Sequence, residues 1–489
     1  MLAPSGPAGS HQVGRSTKIG IRWTAPTQIS VQVVRIASVL VLARLLTPEQ
    51  FGIVALATVV TGFFDRVLGD TGTTVAVVRN PRLSQGLASS VLYWNVFIGL
   101  TTALVFLVFG DVIASWLGDA SAGGLLRVLG LVAVVNGFFH VPNALFRRHL
   151  QFSRLAAVNL TNATVTGIAT ITLAIAGWGE WALVAGTLVG SLVATLVAWT
   201  LVSWRPSWYF SFAEMSTISR FSANLSVQNI FGYASQAGDR FIIGRFIGTA
   251  DLGFYGLANR LMRYPVQTTA QTYREVVFPN LAKIQDSFPQ MAQVYARSVS
   301  GIAFIVFPIC ATVAAVADPL VAVALGPAWA ETTSILGIIA ATSAIQAVAS
   351  TTGSLYLARG RADLYLRWQI FSSVVLVIAY SVGARWGLVG VAWGFLLGTA
   401  VLTPLAFAIP LRLIDARVRD VLRSTVGLAV AATVAALGSN LVVRLLSAGD
   451  NGDLVQLLAG SGVSIAIFAT LIVLFRPAVL DDFIKLLRR

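Results

Sequence analysis

The residues best placed to do chemistry in this chain are charges set inside its most apolar stretches. Arg35, Asp65, Arg66, Asp70, Asp239, Arg240, Arg260 and Arg263 all fall in runs that read as membrane-crossing. Each would cost roughly 2.5–3.5 kcal/mol at the centre of a bilayer. So many charges facing lipid would outweigh a typical folding stability, which places most of them on a hydrated cavity, against one another, or near an interface. Helical spacing favours the cavity. Gln28, Gln32 and Arg35 lie at i, i+4 and i+7, on one face. Asn224, Gln228, Ser235 and Asp239 share an arc of about 60° at 100° per residue, and Arg260, Arg263, Gln267, Gln271 and Arg274 share another. Two arginines three residues apart, with no obvious acidic partner on their own helix, suit the gripping of an anion better than the packing of a helix. Arg66 and Asp70, at i and i+4, are equally well read as neutralising each other. Asp65 and Asp239 are the candidate carboxylates for coupling to an ion.

The elements that carry these residues follow from composition. Of 489 residues, 56% are hydrophobic and 11% charged. A water-soluble surface needs roughly a quarter, so lipid must be the main solvent. The formal net charge is +14, but the basic residues cluster in short loops between apolar runs. That is the pattern of cytoplasmic loops and not of a nucleic-acid-binding face. Cys310 is the one cysteine, so no disulfide forms within the chain, and it reads as a core thiol. His11, His140 and His149 have no partners at metal-ligand spacing, and no metal site or cofactor is expected.

A bilayer is crossed by about 20 apolar residues in a helix whose backbone satisfies itself. The pattern predicts an all-α polytopic membrane protein of about fourteen spans. They fall near 22–45, 51–77, 86–109, 123–146, 154–177, 181–204, 217–247, 251–278, 295–317, 332–357, 365–384, 388–411, 421–446 and 455–475. Basic residues in the loops favour one side by roughly five to one, which sets both termini in the cytoplasm. Residues 1–17 are rich in Gly, Pro and Ser and read as a disordered cytoplasmic tail. The last stretch, 476–489, reads as an amphipathic cytoplasmic segment. No loop is long enough to house a soluble catalytic domain, so the chain is not expected to be an enzyme.

The sequence also repeats. ARLLTPEQFGIVALA (43–57) aligns on GRFIGTADLGFYGLA (244–258), and WGEWALVAGTLVG (178–190) aligns on WGLVGVAWGFLLG (386–398). The first match brings Gly52 onto Gly253, the second Gly186 and Gly190 onto Gly394 and Gly398. Both pairs of segments have the same expected orientation. The repeats are therefore parallel six-span lobes, 18–204 and 217–411, in pseudo-two-fold arrangement, joined by a cytoplasmic linker at 205–216. Spans 13 and 14, within 412–475, lie outside the repeat as an appendage. The matched glycines Gly186, Gly190, Gly394 and Gly398 are read as close helix packing.

Three stretches carry a family likeness. DRFIIGRFIGTADLGFYGLANRLMRYP (239–265), VFPNLAKIQD (277–286) and LGPAW (325–329) resemble the Wzx-type polysaccharide exporters of the multidrug/oligosaccharidyl-lipid/polysaccharide superfamily. RLLTPEQFGIVALA resembles the matching signature of the first lobe. The resemblance implies turnover of an undecaprenyl-diphosphate-linked oligosaccharide from the cytoplasmic to the outer leaflet of the bacterial inner membrane. It also implies a role in supplying cell-surface polysaccharide, with a polymerase or export machinery as partner beside the membrane lipids. By similarity, cationic residues of the first, second and eighth spans hold the diphosphate, and Arg35, Arg66, Arg260 and Arg263 are the basic positions there.

The expected mechanism is alternating access, with proton or sodium coupling left open. Two readings compete. A lipid II-type peptidoglycan precursor flippase would share the fold and the basic cavity. A MATE-like drug or cation antiporter would call for an acidic or aromatic cavity, which the excess of Arg over Asp disfavours.

Overall fold

The computed structural model describes residues 10–66, 74, 77–78, 80, 83–262, 266, 284, 287–449 and 451–475; for 10–26, 217–229, 231, 235, 362, 420, 422, 424 and 475 it describes the backbone only. Among the described residues every regular element is helical. The helices are α1 Ser10–Leu45, α2 Pro48–Phe64, α3 Gln85–Leu117, α4 Ala122–Arg148, α5 Phe152–Ile175, α6 Glu180–Leu201, α7 Phe212–Phe246 and α8 249–262. Then follow α9 Phe288–Ala315, α10 Ala317–Ala324, α11 Glu331–Ala349, α12 Thr352–Ala358, α13 Ala362–Gly383, α14 Gly387–Arg412, α15 Val418–Ala448 and α16 Asp453–Phe475. Helix α1 thus starts at Ser10, within the stretch 1–17 whose composition suggests a tail.

Ten windows are long and apolar enough to cross a membrane, and one of them, Asp363–Arg412, holds both α13 and α14. The expected spans without a window are 51–77, 217–247 and 251–278. These segments carry every intramembrane charge named above except Arg35, and only part of 51–77 and of 251–278 lies among the described residues. Helix α2 is an apolar helix of 17 residues, and α7 has 35. At 1.5 Å per residue, 35 residues reach about 50 Å, ample for a bilayer. On the surface of α3, Phe97, Leu104, Leu107, Val112 and Trp116 are all more than half exposed, as side chains that meet lipid must be.

The chain divides into two units, Met1–Gly253 and Phe254–Arg489, so that α7 belongs with the first. In the first unit, α3, α4, α5 and α6 enclose a core of Leu87, Val91, Val141, Leu145, Phe146, Val158, Ala194 and Ala198. Helix α2 seals a second cluster, where Ile53, Val54 and Ala57 meet Phe106, Leu125, Leu126 and Val184.

Local sequence explains where these helices start and bend. Thr47 caps α2: its hydroxyl accepts from the Gln50 N–H at 3.3 Å, the Gln50 amide oxygen accepts from the Thr47 N–H at 3.0 Å, and Pro48 fills the first helical position. Helix α4 contains Pro142, which has no N–H to give to the carbonyl four residues back, that of Phe138. The Trp199 indole N–H on α6 donates to that carbonyl instead, at 3.2 Å. The segment 202–211 is irregular but pinned to α3. The Tyr93 hydroxyl donates to the Ser207 carbonyl at 3.0 Å, the Ser207 N–H donates to Ser89 Oγ at 3.0 Å, and the Ser211 N–H donates to Ser90 Oγ at 3.1 Å.

Glycines let two pairs of helices approach to backbone contact. A methyl on Gly186 or Gly190 of α6 would overlap Thr170 or Thr166 of α5. A methyl on Gly52 of α2 would overlap the Thr249 carbonyl of α8, and one on Gly253 would overlap the Pro48 carbonyl.

In the second unit, one core joins Tyr295, Val299 and Ala303 of α9, Leu355 of α12 and Phe407 of α14 to Leu428, Ala431 and Ala435 of α15 and Phe468 and Ile472 of α16. The Ser439 hydroxyl of α15 donates to the Gly460 carbonyl of α16 at 2.8 Å, and Thr312 meets Ser464 at 2.8 Å. The last two helices, expected as an appendage, are built into this core.

Candidate functional site

Three of the candidate residues are in α1. Gln28 and Arg35 are exposed, and the Oε1 of Gln32 between them is buried without a hydrogen-bond partner. Arg35 stands near the middle of the span Thr27–Leu45 and makes no hydrogen bond or ion pair with any described residue. An arginine at that depth requires water or an anion at its head.

The C-terminal end of α2 carries two adjacent charges. After Phe64 the helix passes into a π turn at Asp65 and Arg66. The wider turn shifts where successive side chains point, and these two neighbours engage different helices. Asp65 meets α4: its Oδ1 accepts from the Asn136 side-chain amide at 3.4 Å and lies 4.0 Å from Nε2 of His140. Arg66 meets α7: it donates to the Gln236 amide oxygen at 3.4 Å and stands 5.9 Å over the Tyr233 ring. The Tyr233 hydroxyl in turn donates to the Val59 carbonyl of α2 at 2.6 Å, so the ring is fixed to the helix that carries Arg66. Gly62 makes room for it, since a methyl there would come within 2.7 Å of the same hydroxyl.

Asp239 is 5% exposed. Its carboxylate accepts the Arg240 N–H at 2.7 Å and lies 3.9 Å from the Arg240 guanidinium, which donates to the Gln236 carbonyl at 2.9 Å. Although sequence neighbours on a helix point apart, Asp239 and Arg240 form a local pair.

Arg260 is half-buried in α8, in the second unit. Arg263 and Gln267 lie outside the described residues, as do the side chains of Asn224 and Gln228; Asp70 does too. Within the first unit the structure brings together Arg66, Asp65 and residues that sequence reasoning did not select: Asn136, His140, Tyr233 and Gln236. Asn136 and His140 carry a usable signal, a polar pair at i and i+4 within an apolar span, VNGFFH.

Other arginines, in the loops between spans, serve backbone carbonyls at or near helix ends. Arg148 donates to the carbonyls of Val77, Val78 and Asn80 at 2.9, 3.4 and 2.5 Å. Arg154 donates to the Leu201 carbonyl at 2.8 Å, and Arg205 to the carbonyls of Val202 and Trp204 at 2.6 and 2.9 Å. Cations at carbonyl-rich ends of helices satisfy acceptors that the helix leaves over.

Comparison with known proteins agrees with this architecture. A family model described as "Polysaccharide biosynthesis protein" matches residues 41–334. The chain is 26% identical over 399 residues to the lipopolysaccharide biosynthesis protein WzxC of Escherichia coli, covering 80% of each chain. It is 26% identical over 364 residues to the succinoglycan biosynthesis transport protein ExoT of Rhizobium meliloti, covering 74% of each. Among solved structures, the lipid II flippase MurJ in an inward closed conformation superimposes with a TM-score of 0.77 at 15% identity, over 94% of this chain and 100% of that one. An inward-facing multidrug resistance MATE family transporter of the MOP superfamily gives 0.67 at 18% identity, over 80% and 98%. These two structures share the fold.

Proposed function

Because the chain belongs to the polysaccharide biosynthesis protein family, we propose that this multi-pass membrane transporter turns an undecaprenyl-diphosphate-linked oligosaccharide from the cytoplasmic to the outer leaflet of the bacterial inner membrane. Both termini are cytoplasmic in this reading, and the product feeds polymerisation or export of a surface polysaccharide. Fourteen spans form two parallel six-helix repeats and a C-terminal pair, and the repeats provide alternating access.

The observation that carries the reading is Arg35, an exposed guanidinium without a described partner at mid-span of α1. A diphosphate is the complement of such a group: two negative charges, and oxygens that match the planar guanidinium fork. Arg66, seated on Tyr233 and Gln236, offers a second cation in the same unit. The polyprenyl tail stays in the bilayer while the headgroup passes. An inside-negative potential assists outward movement of the diphosphate by about 2.3 kcal/mol per charge per 100 mV.

The test is translocation of a labelled polyprenyl-diphosphate oligosaccharide in proteoliposomes, comparing the wild type with Arg35→Ala and with Arg260→Ala/Arg263→Ala. Wild-type turnover that falls at least about tenfold in both variants, a loss of some 1.4 kcal/mol, supports the reading. Turnover confined to lipid II would shift the substrate to the peptidoglycan precursor. Ion-driven movement of a small organic cation, with no movement of any lipid-linked sugar, would replace the reading by a MATE-like antiporter.

A further inference from the structure

We propose that the segment joining α6 to α7 is a docking surface for anionic phospholipid. Arg205 holds the headgroup phosphate, and Trp208, Tyr209, Phe210 and Phe212 lie against the glycerol and the upper acyl chains. The proposal needs only that the chain crosses a bilayer; the orientation proposed above adds that the leaflet is the cytoplasmic one.

Depth is the first ground. Residues 205–216 read from sequence as a linker in the cytoplasm, yet 207–211 fold back along the start of α3. The Ser207 N–H donates to Ser89 Oγ and its carbonyl accepts from the Tyr93 hydroxyl, both at 3.0 Å, and the Ser211 N–H donates to Ser90 Oγ at 3.1 Å. Tyr209 lies on Gly86, where a methyl would come within 2.7 Å of its ring. Ser89, Ser90 and Tyr93 stand about 6–12 Å beyond Gln85 along the helix axis. Helix α3 has 33 residues. That is about 50 Å, against about 30 Å of hydrocarbon and about 40–45 Å with the headgroup layers. Centred on a bilayer, α3 has its first turns in a headgroup layer, and so is the segment tied to them. Irregular backbone at that depth needs partners, and the hydroxyls of α3 supply them.

Exposure is the second. Trp208 is 100% exposed and Phe212 75%, and Tyr209 and Phe210 are exposed as well. The Trp208 ring stacks beside that of Tyr93, with centroids 6.5 Å apart and planes at 24°. Tyr93 starts a stripe on α3, followed at i+4, i+7, i+11 and i+14 by Phe97, Leu100, Leu104 and Leu107, each more than half exposed. The aromatic segment therefore continues the face of α3 that meets lipid. Trp and Tyr, apolar in the ring and polar at the edge, suit the boundary between headgroups and acyl chains. Lipid is the occupant that this continuity selects.

Charge selects which lipid. Arg205 is exposed, and its Nη1 donates to the carbonyls of Val202 and Trp204 at 2.6 and 2.9 Å. Its own carbonyl accepts from the Gln85 side-chain amide at 3.4 Å, which sets it level with the start of α3, farther out than Trp208. The remaining edge of the guanidinium is open to a phosphate. Arg147 and Arg148 end α4 at this same end of the bundle, and Arg154 begins α5 there, where it donates to the Leu201 carbonyl. Among the described residues Glu214, at the start of α7, is the acid set against these four arginines. A headgroup with a net negative charge suits that balance better than a zwitterionic one.

The test uses the full chain in nanodiscs of phosphatidylglycerol and phosphatidylcholine. A nitroxide is attached to Trp208→Cys and Phe212→Cys, with Leu104→Cys as the lipid reference and Ala120→Cys, in the loop between α3 and α4, as the water reference. The wild-type chain, whose Cys310 is buried, is the blank. Labels at 208 and 212 should collide with oxygen in preference to a nickel chelate, as at 104. Native mass spectra of the released chain then give the preference for phosphatidylglycerol among retained lipids. Arg205→Gln should lower that preference about fivefold, the effect of one arginine at an anionic surface, and Arg205→Lys should keep most of it. Thermal melts establish that both variants are folded; where Arg205→Gln is not, the label at 208, on a fully exposed side chain, decides. A label at 208 that behaves as at 120, or an unchanged preference in Arg205→Gln, overturns the proposal. So does displacement of the retained phosphatidylglycerol by farnesyl diphosphate, which would give the surface to a lipid-linked substrate. Slowing of the 208 label by a soluble oligosaccharide would likewise overturn it in favour of sugar. Absence of any sugar translocation sinks the flippase reading alone, since neither readout depends on transport.

Discussion

Asp65 and Arg66 are adjacent in sequence and are held by different helices, the acid by Asn136 of α4 and the base by Gln236 of α7. At the end of α2 an acid and a base thus reach partners on two different helices.

Removing the cation should therefore affect transport more than folding. Arg66→Ala is expected to lower translocation of a polyprenyl-diphosphate sugar at least about tenfold, with a melting temperature close to that of the wild type. Tyr233→Phe keeps the ring beneath Arg66 and loses the hydroxyl's bonds to the Val59 and Thr58 carbonyls, at 2.6 and 3.5 Å. It should cost roughly 0.5–1.5 kcal/mol of stability and little transport. A proteoliposome assay alongside thermal melts separates the two effects.

The close approach of α2 and α8 predicts the reverse. Gly52→Ala and Gly253→Ala each force a methyl into a main-chain carbonyl, that of Thr249 or of Pro48. Either should destabilise by about 1–3 kcal/mol or more, since a carbonyl yields less readily than a side chain. The double variant should cost less than the sum of the singles, because one displacement of the helices relieves both clashes. Melting temperatures of the three variants check this.

Arg148 should prove structural despite its place in a basic cluster between two spans. Arg148→Ala strands the carbonyls of Val77, Val78 and Asn80 and is expected to cost about 2 kcal/mol or more. Arg148→Lys should recover only part of it, because one ammonium does not reproduce the guanidinium's spread of donors. Chemical denaturation or melting in detergent gives the comparison.

Pro142 within α4 offers a double-mutant cycle. Trp199→Phe leaves the Phe138 carbonyl without its donor and should cost about 1 kcal/mol beyond the small change in packing. In a Pro142→Ala background the restored helix N–H can serve that carbonyl, and the added cost of Trp199→Phe should shrink toward zero.

Much of the fold was legible because lipid imposes a simple rule on sequence. Long apolar runs identify α3 to α6, α9, α11 and α13 to α16, and the TPEQ stretch marks the start of α2 through its capping box. The charges in 51–77, 217–247 and 251–278 set those spans apart from the uniformly apolar ones. The site was legible by half. Arg66 and Asp65 stand out as charges in apolar surroundings. The partners that set them apart are neutral residues on distant helices, and no spacing along one helix reveals which neighbour turns toward which. His140 was visible and was weighed only as a metal ligand; its neighbour across the helix interface is a carboxylate. Similarly, counting Arg148, Arg154 and Arg205 as loop charge orients the chain without revealing that their heads close the ends of helices.

The contact at Gly52 and Gly253 also bears on ancestry. Pro48 and Gly52 correspond to Thr249 and Gly253 at a single offset, so each partner offers the other the same pair of positions. A contact of this kind is its own mirror, and two identical half-length chains would make it about a twofold axis. A duplicated gene would have inherited a working seam and not needed to invent one. Because carbonyls receive the approach, positions 48 and 249 were free to diverge to proline and threonine, while 52 and 253 are both still glycine.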